Sequence, residues 1–438
     1  MKIFFISLAL LVSLIHSMVK IPLNDTRIKF EGVYYPQISD SIVILNRHLD
    51  TMKNFSESGI SGGWIQQWVK TQTGVRVRIK TSSPRVKFEF SQREGGGVIG
   101  AVPSSGFTIF SADSVIAKFS SLDFILEHPN PEVSQVFELS LPNLWAVNFT
   151  GLSLDKGYSL EALPELNNPV YVAIGNSITH GTGQYVSSAK TYPYLLAQKK
   201  DWNLYNLAVA GAGMGWGIAL NTKNQKVDVI SVLIGFNDWK YKAFPIEHYQ
   251  TIYSRLLDSL RSFHPMAQIY AISPLVTKET EYAAPFTIQE MRNMMSSVVK
   301  EKQRKDSSLC MINGPEISNI SMLSDLVHLN ENGARQLSEN LTDEMNECKQ
   351  AIVPLIQNEI LGHFKNLGQG VFEFRPISLG KYRFKFFNLK GVLVYEKNLV
   401  FEDLVAQKIS INPSEANLNF NVIQIIKNEV VINIKTHL

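Results

Sequence analysis

Residues 175–181, with the sequence GNSITHG, decide how the rest of the chain is interpreted. They directly follow the apolar run PVYVAI at 169–174, which is typical of a buried strand bounded by turn residues. The segment at 192–199 is typical of an amphipathic helix. A serine at the end of a buried parallel strand, here Ser177, stands where open α/β sheets bind their ligands. Such a serine can attack a carbonyl if another group takes its proton and hydrogen-bond donors hold the oxyanion.

The length and composition of the chain exclude several classes of protein. At 438 residues the chain is too long for one ordinary hydrophobic core, so we expect two or three domains. Hydrophobic residues make up 45% and charged residues 18%, a balance typical of folded globular proteins and not of disordered ones. The net charge of +3 is close to neutral for this length, and no dense run of lysine and arginine occurs. The composition therefore gives no indication of a nucleic-acid partner.

Residues 1–18 have the layout of a secretory signal peptide. Lys2 precedes a short apolar run, and Ser17 follows the run as a small residue. The run is shorter than the ~20 residues that a membrane-spanning helix needs, so a cleaved leader is favoured over a buried helix or a membrane anchor. No later stretch of the sequence has the length and apolar character of a membrane span. We therefore expect a secreted, periplasmic or cell-surface protein.

The chain contains two cysteines, Cys310 in a predicted strand and Cys348 at the end of a predicted helix. A disulfide bond between them would suit a secreted protein, but a chain that buries large cores does not need one. We therefore favour two buried free thiols. The sequence has no Cys-x-x-Cys pair and no histidine and cysteine cluster with metal-ligand spacing, so we expect neither a metal site nor a cofactor.

Residues 19–163 have the pattern of an all-β domain. Short alternating runs recur between glycine- and serine-rich turns, which favours a β-sandwich of the jelly-roll type. The runs lie at 41–45, 75–80, 86–90, 107–110, 135–139 and 145–149. Such modules often bind carbohydrate, and tryptophan rings can stack on sugars, although a core position is the better interpretation for each tryptophan of this region. The candidates are Trp64, Trp68 and Trp145.

Strands and helices alternate from 164 to 350. The predicted strands lie at 170–174, 203–207, 227–234, 268–272 and 309–312, and the main predicted helices at 246–263, 288–305 and 330–345. Five strands with intervening helices favour a doubly wound parallel sheet that is covered on both faces. After an ambiguous linker at 357–370, the rest of 351–438 returns to β character and favours a small appended β module without candidate chemistry.

Three further stretches each follow a predicted strand and carry polar or glycine residues. The stretch at 206–213 contains Gly211, where the backbone can approach a ligand closely and offer an N–H. Asn237 follows the next strand, and its carboxamide is an uncharged donor for a developing oxyanion. Asp325 precedes His328 by three residues, which lie side by side in a helical turn. The carboxylate could therefore hold one ring nitrogen and leave the other to accept the serine proton.

These residues resemble the four conserved blocks of the SGNH (GDSL) hydrolase superfamily, in the same order along the chain. The resemblance implies a flavodoxin-like α/β domain and a carboxylic ester hydrolase. It implies that Ser177 is the nucleophile, that His328 is the base and that Asp325 orients His328. The implied oxyanion donors are the backbone N–H groups of Ser177 and Gly211 and the side chain of Asn237.

The sequence departs from the family pattern in the first block. The family usually reads Gly-Asp-Ser-Leu, whereas residues 175–178 read GNSI, and Asn176 can still hydrogen-bond the turn. Thr179 stands where a Gly-x-Ser-x-Gly motif would need glycine, which argues against an ordinary α/β-hydrolase lipase. Some related esterases orient the histidine by a backbone carbonyl, so this alternative to Asp325 stays open.

Further histidines and tryptophans near the blocks are candidates for other roles. A position beside the substrate pocket is expected for three of them, although a core position suits either tryptophan equally well. These are His180, Trp216 and Trp239. The alternatives to His328 as the base are His180, His248 and His264, but none of these has a carboxylate three residues before it at a strand-to-helix junction.

The order of the predicted domains narrows the resemblance. A β-sandwich before an SGNH domain resembles carbohydrate esterases that remove acetyl groups from plant polysaccharides such as xylan. We therefore expect an acylated carbohydrate as the substrate, with an SGNH lipase or thioesterase and a non-catalytic glycan-binding protein as alternatives. The stretch NLKGVLVY at 388–395 loosely resembles a type IX secretion sorting domain, which implies the secretion machinery as a further partner.

Overall fold

The chain forms two compact units in a computed structural model. The first unit runs to Arg304 and resumes from Leu309 to Glu344, and the second consists of Lys305–Ser308 and the chain from Met345 onward. The β-sandwich and the α/β part both lie in the first unit. The residues described are 17–60, 65–98, 102–103, 106–184, 187–368, 371–376, 379–388, 393–403, 405, 407–410, 420–427 and 430–435.

Two antiparallel sheets form the amino-terminal β-sandwich. The strands are β1 Met18–Ile21, β2 Lys29–Glu31, β3 Tyr35–Ile38, β4 Val43–Asn46, β5 Arg76–Thr81, β6 Arg85–Gly97, β7 Phe107–Ser111, β8 Ser114–Phe119, β9 Asp123–Glu127, β10 Gln135–Ser140 and β11 Trp145–Asp155. One sheet has the order β3-β4-β11-β6-β9, with β1 paired to β11, and the other has the order β2-β5-β10-β7-β8. Apolar side chains that alternate along the strands, including Val77, Phe88 and Phe137, are fully buried in the core. The predicted sandwich is confirmed.

A five-stranded parallel sheet forms the centre of the α/β part. Its strands are β12 Val170–Gly175, β13 Asn203–Asn206, β14 Val229–Leu233, β15 Gln268–Ile272 and β16 Leu309–Ile312. The spatial order is β13-β12-β14-β15-β16, and every neighbouring pair is parallel. β14 is buried along its whole length because helices cover both faces of the sheet. The predicted doubly wound sheet is confirmed.

The α-helices are α1 Ile65–Val69, α2 Ser177–His180, α3 Tyr192–Lys200, α4 Phe236–Tyr241, α5 Ile246–Phe263, α6 Ile288–Gln303, α7 Gly314–Ile317 and α8 Glu331–Leu361. Short 3₁₀ helices lie at Asp50–Lys53, Ser56–Ser58, Ser188–Lys190, Trp216–Thr222 and Ile320–Met322. The last helix runs to Leu361, so the predicted helix end at 345 is wrong. The predicted linker at 357–370 is wrong as well, because its first residues are helical and Gly362–Gly368 form a strand. No helix among the described residues is long and apolar enough to cross a membrane.

The strand order creates a topological switch point beside β12. β13 follows β12 in the chain and pairs with one edge of it, whereas β14 pairs with the other edge. Because all three strands are parallel, the residues that follow them meet at one carboxyl-terminal edge of the sheet, where open α/β sheets bind ligands. Ser177, Gly211 and Asn237 each follow one of these strands.

Two predictions concern residues at the margins of the described structure. The predicted signal peptide lies outside the described residues except for Ser17 and Met18. Met18 pairs with Asp155, and the Lys156 N–H donates to the Ser17 carbonyl oxygen at 2.9 Å, so these two residues belong to the sandwich. Cys310 is disulfide-bonded, so the prediction of free thiols is wrong for this residue.

The second unit contains two small antiparallel sheets. Its strands are β17 Gly362–Gly368, β18 Val371–Pro376, β19 Gly380–Asn388, β20 Leu393–Phe401, β21 Gln407–Ser410, β22 Phe420–Lys427 and β23 Val430–Lys435. The sheets have the orders β17-β18-β21 and β20-β19-β22-β23. Aromatic side chains, among them Phe374 and Phe384, are fully buried in its core. The predicted β module is confirmed, whereas the sorting-domain resemblance stays a prediction, because 389–392 of its hairpin lie outside the described residues.

Candidate active site

Ser177 is the first residue of α2 and follows a sharp turn out of β12. Asn176 caps the helix, since its Oδ1 accepts the Ile178 N–H at 3.1 Å. A Cβ at Gly175 would lie 2.2 Å from Thr179 Oγ1 and 2.8 Å from the Leu233 carbonyl oxygen, so the turn requires glycine there. Ser177 itself remains partly exposed in otherwise buried surroundings. The turn therefore presents its hydroxyl at the carboxyl-terminal edge of the sheet.

His328 lies between Ser177 and Asp325. Its Nε2 is 2.9 Å from Ser177 Oγ, and its Nδ1 is 2.8 Å from Asp325 Oδ2. An ionised carboxylate can only accept, so Nδ1 carries the hydrogen and Nε2 is left to accept the Ser177 hydroxyl proton. The structure thus brings Ser177 to Asp325 and His328, although Ser177 and His328 are 151 positions apart in the sequence.

Asp325 and His328 lie in a turn and not in the predicted helical turn. Asp325 Oδ1 accepts the backbone N–H groups of Val327 at 2.8 Å and His328 at 2.7 Å, an Asx-type arrangement. Leu323 and Leu329 form a β-bridge that closes the loop. We call residues 323–330 the histidine loop. The carboxylate therefore shapes the loop that carries the histidine and also contacts the ring.

The hydrogen bonds that the Asp325 carboxylate accepts favour its ionised form. Partial burial raises the pKa of this carboxyl, but the backbone N–H groups of His328 and Val327 and the His328 ring outweigh it, so the pKa lies below the ordinary value. Its side chain is 49% exposed and the His328 side chain 20% exposed. Solvent therefore weakens this ion pair relative to a buried one.

The backbone N–H groups of Ser177 and Gly211 are candidate donors to an oxyanion. The Ser177 N–H is the first amide of α2 and has no intrahelical acceptor. Gly211 has φ 85°, in the left-handed region, and among the described residues no acceptor lies within hydrogen-bond distance of its N–H. Both donors lie at the switch point of the sheet.

Asn237 supplies a third candidate donor. Its Nδ2 donates one hydrogen to the Ala212 carbonyl oxygen at 2.8 Å, which orients the carboxamide and leaves the second hydrogen free. Neighbouring Asp238 is fully buried and accepts the Met214 N–H at 2.7 Å, while Lys242 Nζ lies 2.9 Å from its other oxygen. Burial raises the pKa of Asp238 and Lys242 opposes this. α4 therefore holds the loop that contains Gly211.

The β-sandwich contributes Arg47, which the sequence analysis did not identify. Arg47 is fully buried, and its Nη1 donates to the carbonyl oxygens of Asn206 at 2.6 Å and Ala208 at 2.9 Å. Its Nε donates to the Thr71 carbonyl oxygen at 2.7 Å. Burial lowers the pKa of Arg47 to about 9. Arg47 therefore ties the sandwich to the start of the Gly211 loop, and no local pattern in the sequence marks this arginine as buried.

A second group of contacts joins the loop after α2 to the histidine loop. Gln184 Nε2 donates to the Leu329 carbonyl oxygen at 2.5 Å, and a Cβ at Gly183 would lie 2.2 Å from that same oxygen. Asn143 of the sandwich donates to the carbonyl oxygens of Gly181 at 2.8 Å and Gln184 at 3.1 Å. These contacts set the spacing between Ser177 and His328. In the sequence, the two glycines at 181 and 183 are the feature that indicates close packing of this loop.

The structure corrects the predicted pocket role of two side chains. His180 is fully buried, with Nε2 2.8 Å from Thr71 Oγ1, so its ring faces the sandwich. Trp239 is 1% exposed and stacks on Tyr282 with a centroid distance of 4.6 Å. The sandwich covers the His180 ring, and the loop after β15 covers the Trp239 ring.

Other aromatic candidates are packed as well. Trp216 is partly buried, meets Phe55 edge-on at 5.3 Å and lies under the Arg255 guanidinium at 3.9 Å. Trp145 is 9% exposed in the sandwich core, and partly buried Trp68 packs against both cores. Trp64 lies outside the described residues. Within the described part of the chain, no cluster of three or more histidine, cysteine, aspartate or glutamate side chains could hold a metal ion.

A family comparison agrees with this geometry. Residues 173–336 match the GDSL-like Lipase/Acylhydrolase family. This part of the chain is a GDSL-like hydrolase domain. The predictions of an SGNH (GDSL) hydrolase and of a carboxylic ester hydrolase are thereby confirmed. No curated protein matches the sequence.

Solved structures share the fold of the GDSL-like domain and the β-sandwich. A salicylyl-acyltransferase from a tetracycline biosynthetic pathway has a TM-score of 0.64 at 17% identity, covering 75% of this chain and 97% of that one. A family two carbohydrate esterase from Cellvibrio japonicus has a TM-score of 0.51 at 14% identity, covering 76% and 98%. An acetyl xylan esterase from the rumen bacterium Butyrivibrio proteoclasticus has a TM-score of 0.50 at 13% identity, covering 76% and 99%. At these identities the similarity concerns the fold.

Proposed function

We propose that this protein is a secreted serine esterase that removes acetyl or other short acyl groups from carbohydrate, with plant polysaccharide such as xylan as the expected substrate. The observation that carries the proposal is the chain of contacts from Ser177 through His328 to Asp325 at the switch point. The shared fold with a carbohydrate esterase and an acetyl xylan esterase supports the choice of substrate class. The predicted signal peptide supports secretion.

In the proposed mechanism Ser177 Oγ attacks the ester carbonyl carbon while its proton moves to His328 Nε2. The carbonyl oxygen becomes an oxyanion that the N–H groups of Ser177 and Gly211 and the Asn237 side chain stabilise, each donor contributing about 3 kcal/mol to lowering the barrier. His328 then protonates the departing sugar oxygen, which leaves an acyl group on Ser177. Asp325 keeps Nδ1 protonated and holds the ring in place throughout.

Water completes the cycle. It loses a proton to His328 as it attacks the acyl carbonyl. The second oxyanion then collapses with cleavage of the bond to Ser177 Oγ, and His328 returns the proton to Ser177 Oγ as the carboxylic acid is released. Every step uses side chains and backbone groups of this chain.

A chain-length profile tests the proposed substrate class. Aryl esters of acetate, butyrate and longer acids are compared by kcat/KM, followed by acetate release from acetylated xylan and acetylated mannan. The proposal predicts that acetate is the best acyl group and that at least one polysaccharide is deacetylated. A preference for long acyl chains would instead support the lipase or thioesterase alternative, and hydrolysis of no ester would support the glycan-binding alternative.

A further inference from the structure

A cavity of about 530 Å³ lies between the β-sandwich and the α/β part of the first unit. Asn203, the first residue of β13, lines it, whereas Ser177, Gly211, Asn237 and His328 do not. Because β13 is parallel to β12, this cavity opens near the amino-terminal edge of the sheet, at the other end from the candidate active site. We call it the distal cavity. Its volume falls in the range of about 300–1,000 Å³ that is typical of small-molecule sites.

The wall of the distal cavity contains buried charged groups with unused hydrogen-bonding capacity. Arg76 is 8% exposed, and its Nε is buried without a hydrogen-bond partner among the described residues. Glu138 lies 3.6 Å from Arg76 Nη1 and 3.7 Å from Arg78 Nε, longer than the roughly 2.7–2.9 Å of charge-assisted hydrogen bonds. The Glu138 side chain is 23% exposed and its ion pairs are long, so a ligand hydroxyl group can donate a hydrogen bond to this carboxylate.

The charges in the wall disfavour an ionic ligand. Two arginines, Arg76 and Arg78, and three carboxylates, Glu138, Asp113 and Asp201, line the cavity. Glu138 lies within 3.7 Å of both arginines, and Glu31 lies 3.5 Å from Arg78. The arginines therefore already have negative neighbours, and an added anion would be repelled by the excess carboxylate. A neutral ligand with several hydroxyl groups suits this wall, because each hydroxyl both donates and accepts a hydrogen bond.

Aromatic and amide side chains complete the wall. Trp202 is partly exposed, and Phe110 stacks on Tyr194 with a centroid distance of 5.9 Å. Gln198 is exposed at the rim, and Asn168 also lines the cavity. Aromatic rings offer apolar faces to the C–H groups of sugars, while amides and carboxylates bind the hydroxyls. We propose that the distal cavity is a non-catalytic site for a neutral saccharide of one or two sugar rings.

The test measures binding separately from hydrolysis. The full chain with Ser177→Ala is titrated calorimetrically with xylobiose, mannobiose and cellobiose up to their solubility limits. At least one disaccharide is expected to bind, and Trp202→Ala is expected to weaken its binding at least about tenfold. The double change Asn168→Ala with Gln198→Ala leaves the buried wall intact and is expected to weaken binding about three- to tenfold. Gln250→Ala, which changes an exposed glutamine on α5, serves as the matched control and leaves binding unchanged.

Two results would overturn the proposal. One is the absence of binding by all three disaccharides, which would identify the distal cavity as a water-filled gap between packed elements. The other is binding that neither Trp202→Ala nor the double variant weakens, which would place the saccharide elsewhere. In a chain with Ser177 intact, the cavity variants retain aryl acetate hydrolysis, so failure here is distinct from failure of the proposed esterase function.

Discussion

Asp325 holds His328 at two points, since Oδ1 accepts the His328 backbone N–H at 2.7 Å and Oδ2 lies 2.8 Å from ring Nδ1. One carboxylate therefore sets both the backbone of the histidine loop and the orientation of the ring. A side chain that bonded only the ring would leave the loop conformation to other contacts. The double contact supports the proposal that Asp325, rather than a backbone carbonyl, orients His328.

Asp325→Asn is expected to lower kcat/KM for an aryl acetate by about 10- to 1,000-fold. The amide can keep one contact but loses the charge that stabilises a protonated ring. The loss is smaller than the roughly 10⁴-fold effect at a buried triad aspartate, because Asp325 is 49% exposed. Steady-state kinetics measure the change, with Asp343→Asn on the exposed face of α8 as the control. Unchanged kcat/KM would remove Asp325 from the mechanism.

Asn237→Ala is expected to lower kcat for aryl acetate by about 10²- to 10³-fold with little change in KM, because its free amide hydrogen acts on the oxyanion and not on the bound ester. The variant also loses the bond to the Ala212 carbonyl oxygen, so its melting temperature is measured alongside. Asn293→Ala, on an exposed position of α6, is the control. A rise in KM with kcat retained would show that Asn237 binds substrate instead.

Arg47→Met is expected to destabilise the first unit by about 3–5 kcal/mol. The change leaves carbonyl oxygens of Thr71, Asn206 and Ala208 buried without their donor. Arg47→Lys should recover only part of the loss, because one ammonium cannot reach all three oxygens. Urea denaturation measures the free energies of unfolding, and Arg335→Met, on an exposed arginine, should change little. Equal stability of Arg47→Met and the unmodified chain would contradict this account.

His180 makes folding stability sensitive to acid. Burial, together with the charge of Arg47, lowers the pKa of His180 well below 6.5. The unfolded chain then takes up a proton that the folded chain does not, so this contribution is complete above pH 6.5 and is lost as pH falls below it. His180→Gln should reduce the loss of stability between about pH 7 and about pH 5, measured by denaturation at each pH. Exposed His248→Gln is the control, and an equal effect of both substitutions would refute the role of burial.

The positions of the candidate site residues can be predicted from the sequence, whereas the burial of the side chains around them cannot. Ser177, Gly211 and Asn237 could be located because each follows an apolar run that reads as a strand, and parallel strands bring their carboxyl ends together. Asp325 and His328 could be paired from their spacing, although the contact arises from an Asx-type turn and not a helix.

Burial that depends on tertiary contacts could not be predicted. Arg47 is a charged residue just after strand β4, and only the packing of the sandwich on the α/β part makes it a buried donor. Closeness to Ser177 predicts a place beside the pocket for His180, and the position after the third block predicts one for Trp239. Their partners, Thr71 and Tyr282, come from distant segments. Helix α8 continues past its predicted end at 345, where the sequence contains no glycine until 362, and Pro354 does not end it.

The measurement that tests the central claim most directly is the rate of aryl acetate hydrolysis by Ser177→Ala, with Ser297→Ala on α6 as the control. If Ser177 is the nucleophile, the Ser177 variant loses nearly all activity, about 10⁴-fold or more, while circular dichroism and melting temperature stay unchanged. The Ser297 variant should keep full activity. A folded Ser177→Ala protein that retained the activity of the unmodified chain would contradict the proposed mechanism.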